Sequence, residues 1–194
     1  VSNNSFQMTE VTTGKTPDTH RGLLSSFNLD GGLNWRTDYG AEWEGQQPGT
    51  RCCPSVNDGR IYVLSGHGIL VCADATSGGP VWQKDIAKEF GGTAPMCGFA
   101  ESLLIDGGIV ICTPGGKDAA VVALNKLTGK TVWTTVGSSE QSAYCSPILI
   151  ERGGLRLVVT LTAQSLVGID ANNGKLVWRQ PFDENEDMKN HSVT

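Results

Sequence analysis

The stretch Leu166-Val-Gly-Ile-Asp170-Ala-Asn-Asn-Gly174-Lys-Leu-Val-Trp178 decides the fold, because the chain repeats it. Val121-Val-Ala-Leu-Asn125-Lys-Leu-Thr-Gly129-Lys-Thr-Val-Trp133 and Leu70-Val-Cys-Ala-Asp74-Ala-Thr-Ser-Gly78-Gly-Pro-Val-Trp82 have the same form. In each, an Asp or Asn is followed four residues on by Gly, and the Gly four residues on by Trp. Phe27-Asn-Leu-Asp30-Gly31-Gly-Leu-Asn-Trp35 reads as a shortened copy with three residues missing from its turn. The tryptophans at 35, 82, 133 and 178 stand 47, 51 and 45 residues apart, the kind of period that marks a repeat architecture.

Each repeat reads as an apolar strand, a turn and a returning strand. The Asp74, Asn125 or Asp170 side chain can cap the turn backbone, and Gly78, Gly129 or Gly174 can take the positive φ of a tight hairpin. The Trp-bearing strand comes next, its ring available to fill a gap against a neighbouring unit. Upstream of each copy lie two more short strands joined by Gly-rich turns. They are expected at 53–56 and 60–65, at 102–105 and 109–113, and at 147–151 and 155–161. Four antiparallel strands per unit describe a β-propeller blade. The expected fold is therefore all-β: about three complete blades plus a partial one, with 1–21 an irregular lead-in, 22–182 the blades and 183–194 a linker towards a further blade. Three blades and a part cannot close the usual ring, so a segment of a seven- or eight-bladed propeller is expected. A closed four-bladed ring would need residues 1–25 to supply the missing strands. Only 84–90 reads as a helical turn.

Composition fits many tight turns, with 25 glycines in 194 residues. Fifteen basic against 20 acidic side chains, a net charge of −5, argue against a nucleic-acid surface, and no apolar run is long enough for a membrane span. Val1 is not a start methionine and no signal-peptide pattern precedes the repeats, so a processed chain or a piece of a longer one is expected. The six cysteines form neither a zinc pattern nor a disulfide framework. Cys72 and Cys112 sit in apolar strand text and read as small buried hydrophobes. His20, His67 and His191 are isolated, with His67 expected in a solvent-facing turn, so no metal site is expected. Gly115-Gly116-Lys117 reads as a hairpin turn, and Asp183–Asp187 as a hydrated linker lacking the Gly and Glu of a calcium loop.

The Asp-x-x-x-Gly-x-x-x-Trp ending of successive units resembles the tryptophan-docking repeat of quinoprotein-type (PQQ-like) β-propellers, over about residues 22–182. The stretches Ala100–Gly107, Ile111–Ala119 and Ser142–Ile148 look like a secreted bacterial branch of that family. The resemblance implies a periplasmic or secreted protein. It also implies one of two roles: a dehydrogenase holding pyrroloquinoline quinone and Ca²⁺ on the propeller axis, or a cofactor-free ring such as an outer-membrane assembly scaffold. Quinoprotein alcohol dehydrogenases carry adjacent cysteines that pack on the quinone, and Cys52-Cys53 is the matching pair. Here Cys53-Pro-Ser-Val runs straight into Asn57-Asp58-Gly59-Arg60, without the family's longer insert.

Aligning the Asp58-Gly59 and Asp106-Gly107 turns, and the prolines at 54 and 147, places Cys53, Glu101 and Ser146 in register. Cys52, Ala100 and Cys145 precede them, with Arg51, Phe99 and Tyr144 a step earlier. First strands line a propeller's channel, so Arg51, Phe99, Tyr144, Cys145 and Ser146 are candidates for the channel mouth. Cys52, Cys53 and Glu101 are candidates for cofactor binding, Glu101 as a carboxylate able to ligate a hard cation or as a solvated rim charge. Trp43 lies outside the repeat register and is the candidate for partner contact. With no complete catalytic set, the expected function is a non-catalytic scaffold binding protein or ligand, with the remaining blades or a protein as partner and no cofactor. The alternative is a PQQ- and calcium-dependent alcohol or sugar dehydrogenase.

Overall fold

A strand pair closed by a tight turn needs one residue to cap the turn and one to reverse the backbone, and the repeat supplies both. In the computed structural model, which describes residues 8–12, 20–117, 119–136 and 140–182, Asp74 Oδ1 accepts the amides of Thr76 and Ser77 at 3.0 Å. Asn125 Oδ1 does the same for Leu127 and Thr128 at 3.0 Å, and Asp170 Oδ1 accepts from Asn172 at 2.9 Å. Gly78, Gly129 and Gly174 adopt φ of +72°, +69° and +75°, where an L side chain is strained.

These turns join the last two strands of successive antiparallel sheets. The first sheet runs β1 (Met8–Thr12), β2 (Arg21–Phe27) and β3 (Leu33–Ala41). The second runs β4 (Ser55–Asn57), β5 (Arg60–Leu64), β6 (Ile69–Asp74) and β7 (Pro80–Asp85), followed by the short helix α1 (Ile86–Phe90). The third comprises β8 (Leu104–Asp106), β9 (Ile109–Cys112), β10 (Val122–Asn125) and β11 (Thr131–Thr134). The fourth comprises β12 (Ile148–Arg152), β13 (Leu155–Leu161), β14 (Ser165–Asp170) and β15 (Leu176–Pro181). The architecture is all-β, as the repeats imply. The linker expected over 183–194 lies outside the described residues, as does the 1–21 lead-in apart from 8–12, 20 and 21, of which 8–12 is not irregular but forms the edge strand β1 on β2.

Two details differ from the sequence reading. The first unit's turn is capped by Asn28, whose Oδ1 accepts from Asp30 at 3.1 Å and Gly32 at 2.7 Å, so Asp30 is not the capping residue. Counted from Asn28, that turn is one residue shorter than the others, not three. The innermost strands also begin two residues later than expected in the second and third units, after irregular approach segments.

A β-bulge recurs in every unit. Ser26, Cys72, Ala123 and Gly168 each pair with the unit's Trp, after which the register slips by one residue. The residue skipped on the returning strand is Asn34, Val81, Val132 or Val177, and all four are exposed. A bulge re-aims the neighbouring side chain, and a small residue opposite leaves the indole room to lie flat.

The indole then reaches the next sheet. Trp35 Nε1 donates to Ala75 O at 3.2 Å, Trp82 Nε1 to Lys126 O at 3.0 Å and Trp133 Nε1 to Ala171 O at 3.1 Å. Each acceptor is the carbonyl just after the capping Asp or Asn. The rings lie on the turn glycines so closely that a Cβ added at Gly78, Gly129 or Gly174 would sit 2.4, 2.8 or 2.5 Å from indole carbon. Between these joints, Ile61–Leu64, Leu70–Ala73, Val110–Cys112 and Val121–Leu124 are covered on both faces and fully buried. Such continuous apolar runs are what strands sandwiched on both sides require. Cys72 and Cys112 lie among them, both fully buried.

Trp133→Ala should destabilise the protein by about 3–5 kcal/mol, the usual cost of deleting a buried aromatic ring. Trp133→Phe, which keeps a ring but leaves Ala171 O without its donor, should cost less. Urea denaturation of the two variants checks the order.

Candidate functional site

The irregular segments leading into β4, β8 and β12 gather at one end of the sheets, opposite the Asx-Gly turns that receive the indoles, and carry every hub residue singled out in the sequence. A chain of amide-to-hydroxyl bonds links them. Cys53 N donates to Ser102 Oγ at 3.1 Å, and Ser102 N donates to Ser146 Oγ at 2.9 Å. Ser55 Oγ adds a bond to Leu103 O at 2.6 Å.

This chain corrects the alignment of the units. The pairs closing the first hairpins are Asn57–Arg60 and Asp106–Ile109, so Asp106 matches Asn57 and not Asp58, which lies inside its turn at φ +47°. The fourth hairpin is two residues longer on each side, which brings Ile150–Leu157 to the same place. Cys53, Ser102 and Ser146 are therefore equivalent, as are Cys52, Glu101 and Cys145.

Cys52 and Glu101 perform one task with different chemistry. Leu64 N donates to Cys52 Sγ at 3.4 Å, and at the matching position Thr113 N donates to Glu101 Oε1 at 2.7 Å. The Thr113 hydroxyl donates to Glu101 Oε2. Glu101 is 1% exposed. Burial raises its pKa to about 7 against the pull of the two Thr113 bonds. Burial likewise pushes the Cys52 thiol up to about 12, which keeps it protonated, and Cys53 beside it faces solvent.

Arg51 and Tyr144 converge on Cys97. Arg51 Nη1 donates to Cys97 O at 2.6 Å while Cys97 N donates to the Tyr144 hydroxyl at 2.8 Å. Phe99, expected beside them on the rim, is 1% exposed and packs under Gly68. Trp43 is half-buried, its indole against the backbone of Gly66 and Gly98 and its Nε1 donating to Gln46 O at 3.1 Å. His67 is not free in solvent: its Nε2 lies 3.1 Å from Glu42 O and its ring packs 5.4 Å from that of Trp43.

Two functional-looking carboxylates were missed in the sequence. Glu42 accepts the amide of Gly66 at 2.6 Å and the Tyr39 hydroxyl. Glu140 accepts from Ser165 Oγ at 2.9 Å, Arg179 Nε at 2.7 Å and the Thr162 hydroxyl. Both are buried, and both stand seven residues after a repeat Trp. The signal was available as Trp-x₆-Glu, shared by Trp35/Glu42, Trp82/Glu89 and Trp133/Glu140. Glu89 differs because it lies in α1, exposed and paired with Lys84 at 2.6 Å. Glu101 occupies the third unit's turn instead. Among the described residues no three His, Cys, Asp or Glu side chains are grouped to hold a metal ion, and no helix is long and apolar enough to cross a membrane.

Residues 20–193 match the family described as outer membrane protein assembly factor BamB. The chain belongs to that family. This BamB-family chain is 29% identical over 155 residues to the quinoprotein alcohol dehydrogenase PedH of Pseudomonas putida, an overlap of 76% of this chain and 25% of that enzyme. It is 28% identical over 178 residues to the 1-butanol dehydrogenase (quinone) of Thauera butanivorans, covering 83% of this chain and 28% of that enzyme. The chain thus spans about a quarter of the length of these curated relatives. It is similar in structure to BamB from Moraxella catarrhalis, with a TM-score of 0.63 and 18% identity over 85% of this chain and 48% of that one. It is also similar to the quinohemoprotein alcohol dehydrogenase ADHIIG of Pseudomonas putida HK5, at 0.55 and 15% over 88% of this chain and 35% of that one. The shared fold is the β-propeller, and this chain is part of one.

The hub supports two expected outcomes. Glu101 ionises near 4.5 when unfolded and near 7 when folded, so the folded state holds the extra proton between those values. Its contribution to stability is greatest below pH 4.5, falls as pH rises to about 7 and is level above. The fall is on the order of 3 kcal/mol, and urea titrations of Glu101→Gln across this window should lack it. Ser102→Ala leaves the Cys53 amide without its acceptor and should cost about 1 kcal/mol, with faster hydrogen exchange at the Cys53 amide.

Proposed function

We propose that the chain is part of a non-catalytic β-propeller scaffold that binds a protein or ligand at the propeller face or channel mouth. One observation supports this most. The buried carboxylates and the inner thiol at the hub end are bonded to the chain's own groups: Glu42 to Gly66, Glu101 to Thr113, Glu140 to Ser165 and Arg179, and Cys52 to Leu64. What this end turns outward is a recognition surface that includes Arg51, Cys53, Tyr144 and Ser146, with Trp43 beside it. The matched family's description favours a periplasmic, envelope-associated setting, and the recurring Trp contact is read as a tryptophan-docking motif.

The second reading is a PQQ- and calcium-dependent alcohol or sugar dehydrogenase, favoured by the relatives named as quinoproteins and by the adjacent Cys52 and Cys53. Glu101 does not fit as a calcium ligand. Calcium takes six to eight oxygen ligands, whereas Glu101, the carboxylate in register with Cys52, is sealed from solvent with both oxygens on Thr113.

The test is to incubate the intact protein with PQQ and Ca²⁺, pass it through gel filtration, and assay dye reduction with alcohols and sugars. No retained quinone absorbance and no dye reduction are expected. Retained quinone with substrate-dependent reduction would replace the scaffold reading with the enzyme. On the scaffold reading, a partner recovered by cross-linking should be lost with Cys53→Glu, at an exposed position, while thermal stability changes little.

A further inference from the structure

The geometry points to an internal water site between the third and fourth sheets, held by the hydroxyls of Thr135 and Thr160. Both residues are 1% exposed, and among the described residues neither Oγ1 has a hydrogen-bond partner. A hydroxyl left unbonded away from solvent is costly, and buried polar groups that lack a protein partner are where ordered water is held. The two look into one seam from opposite sides. Thr135 N donates to Val121 O at 2.8 Å, so the β11 ladder runs on by a residue. Alternation then puts Thr135 on the face of Trp133, which packs on the fourth sheet. Thr160 shares its face of β13 with Val158, which packs on the third sheet.

Comparison of the units shows why this seam has room. Thr160 pairs with Val167 as Val63 pairs with Val71 and Cys112 with Val122, so the three occupy one position, and of them Thr160 alone carries a hydroxyl. Thr135 stands two residues after its Trp, where the second unit has Lys84. In the seam between the second and third sheets, burial and Glu101 push the Cys112 thiol up while Lys84 pulls it back, so Lys84 reaches the position that matches Thr160. The Lys84 side chain is only 14% exposed, its stem covered on the way to Glu89. In the next seam a shorter threonine replaces that stem and leaves its volume beside two hydroxyls. The first seam shows the effect of the exchange: Thr37 occupies the Lys84 position there and, with Leu24, Val71 and Gln83, lines a cavity of about 180 Å³.

A buried water makes about three hydrogen bonds. The two threonines provide two. Arg179 pairs with Val167 in the row of Thr160, and its guanidinium, whose Nε holds Glu140 at 2.7 Å, has further N–H groups for a third. A dry gap suits walls that are wholly apolar, whereas this one carries hydroxyls on both sides. The site holds whether the propeller is a scaffold or an enzyme.

The test is a crystal structure of the intact protein that resolves ordered water, with water–protein NOEs measured in solution. A water within hydrogen-bonding distance of both Thr135 Oγ1 and Thr160 Oγ1 is expected, together with NOEs from a long-lived water to the two threonine methyls. Thr135→Val and Thr160→Val, each nearly isosteric, should weaken the NOE at the remaining threonine. Combining them should lower the urea midpoint by less than the sum of the single changes, because removing both polar partners leaves no group unpaired. Hydroxyls bonded to each other or to a backbone oxygen, with no water between them, would overturn the proposal. So would additive losses in the two valine variants.

Discussion

An indole laid on a glycine and hydrogen-bonded to the backbone beside it is what makes four sheets into one structure. The joint needs several conditions at once. A bulge must turn the ring outward, a small residue must lie opposite it, an Asx cap must shape the receiving turn, and the receiving residue must lack a Cβ. Removing any one disturbs a close-packed contact, where a poor fit is costly. Because the contact repeats at Trp35, Trp82 and Trp133, the central strands are buried on both sides. The joints act together with a continuous apolar core that runs from Leu24 in the first sheet to Leu124 in the third.

At the opposite end of the sheets the binding force is polar. Glutamates enter between units and accept hydrogen bonds at the turns joining second and third strands, Glu42 and Glu101 from backbone amides and Glu140 from hydroxyls and Arg179. Glu42 and Glu140 come from corresponding places after a repeat Trp, while Glu101 comes from another. The exception has a local cause. Asp85 caps α1 through Lys88 N at 2.8 Å, the chain winds into a helical turn, and Glu89 is carried out to Lys84. The third turn's donors would then have stood unpaired in a buried setting, which is costly. Glu101 fills that place, and its complete burial raises its pKa.

The sheets and their order were legible because the sequence states them several times, and recurrence outweighs the ambiguity of any one short strand. Register at the hub was not legible. Asp58-Gly59 and Asp106-Gly107 look alike as text, but one Asp lies inside its turn and the other closes it. That single-residue difference sends Glu101 to the place of Cys52 instead of Cys53, from the rim into the interior. Phe99 and His67 were misplaced for a related reason, since a short segment between strands does not reveal which neighbouring glycine leaves room for a ring. The bulge opposite Trp82 could not be read either, because Val81 looks like an inward-facing strand residue and is in fact expelled to solvent.

Lys126 shows the freedom that comes with a main-chain oxygen as the receptor for each indole. The corresponding residues in the other joints are alanines, Ala75 and Ala171, yet a lysine serves equally because its side chain has no part in the lock. Freed from that duty, its ammonium reaches back to Asn57 and Asp58 at 2.7 and 2.6 Å and ties the solvent side of two neighbours together. Mechanical coupling and chemical identity are thus separable at this position. Each seam of the wheel can be re-dressed without loosening its axle.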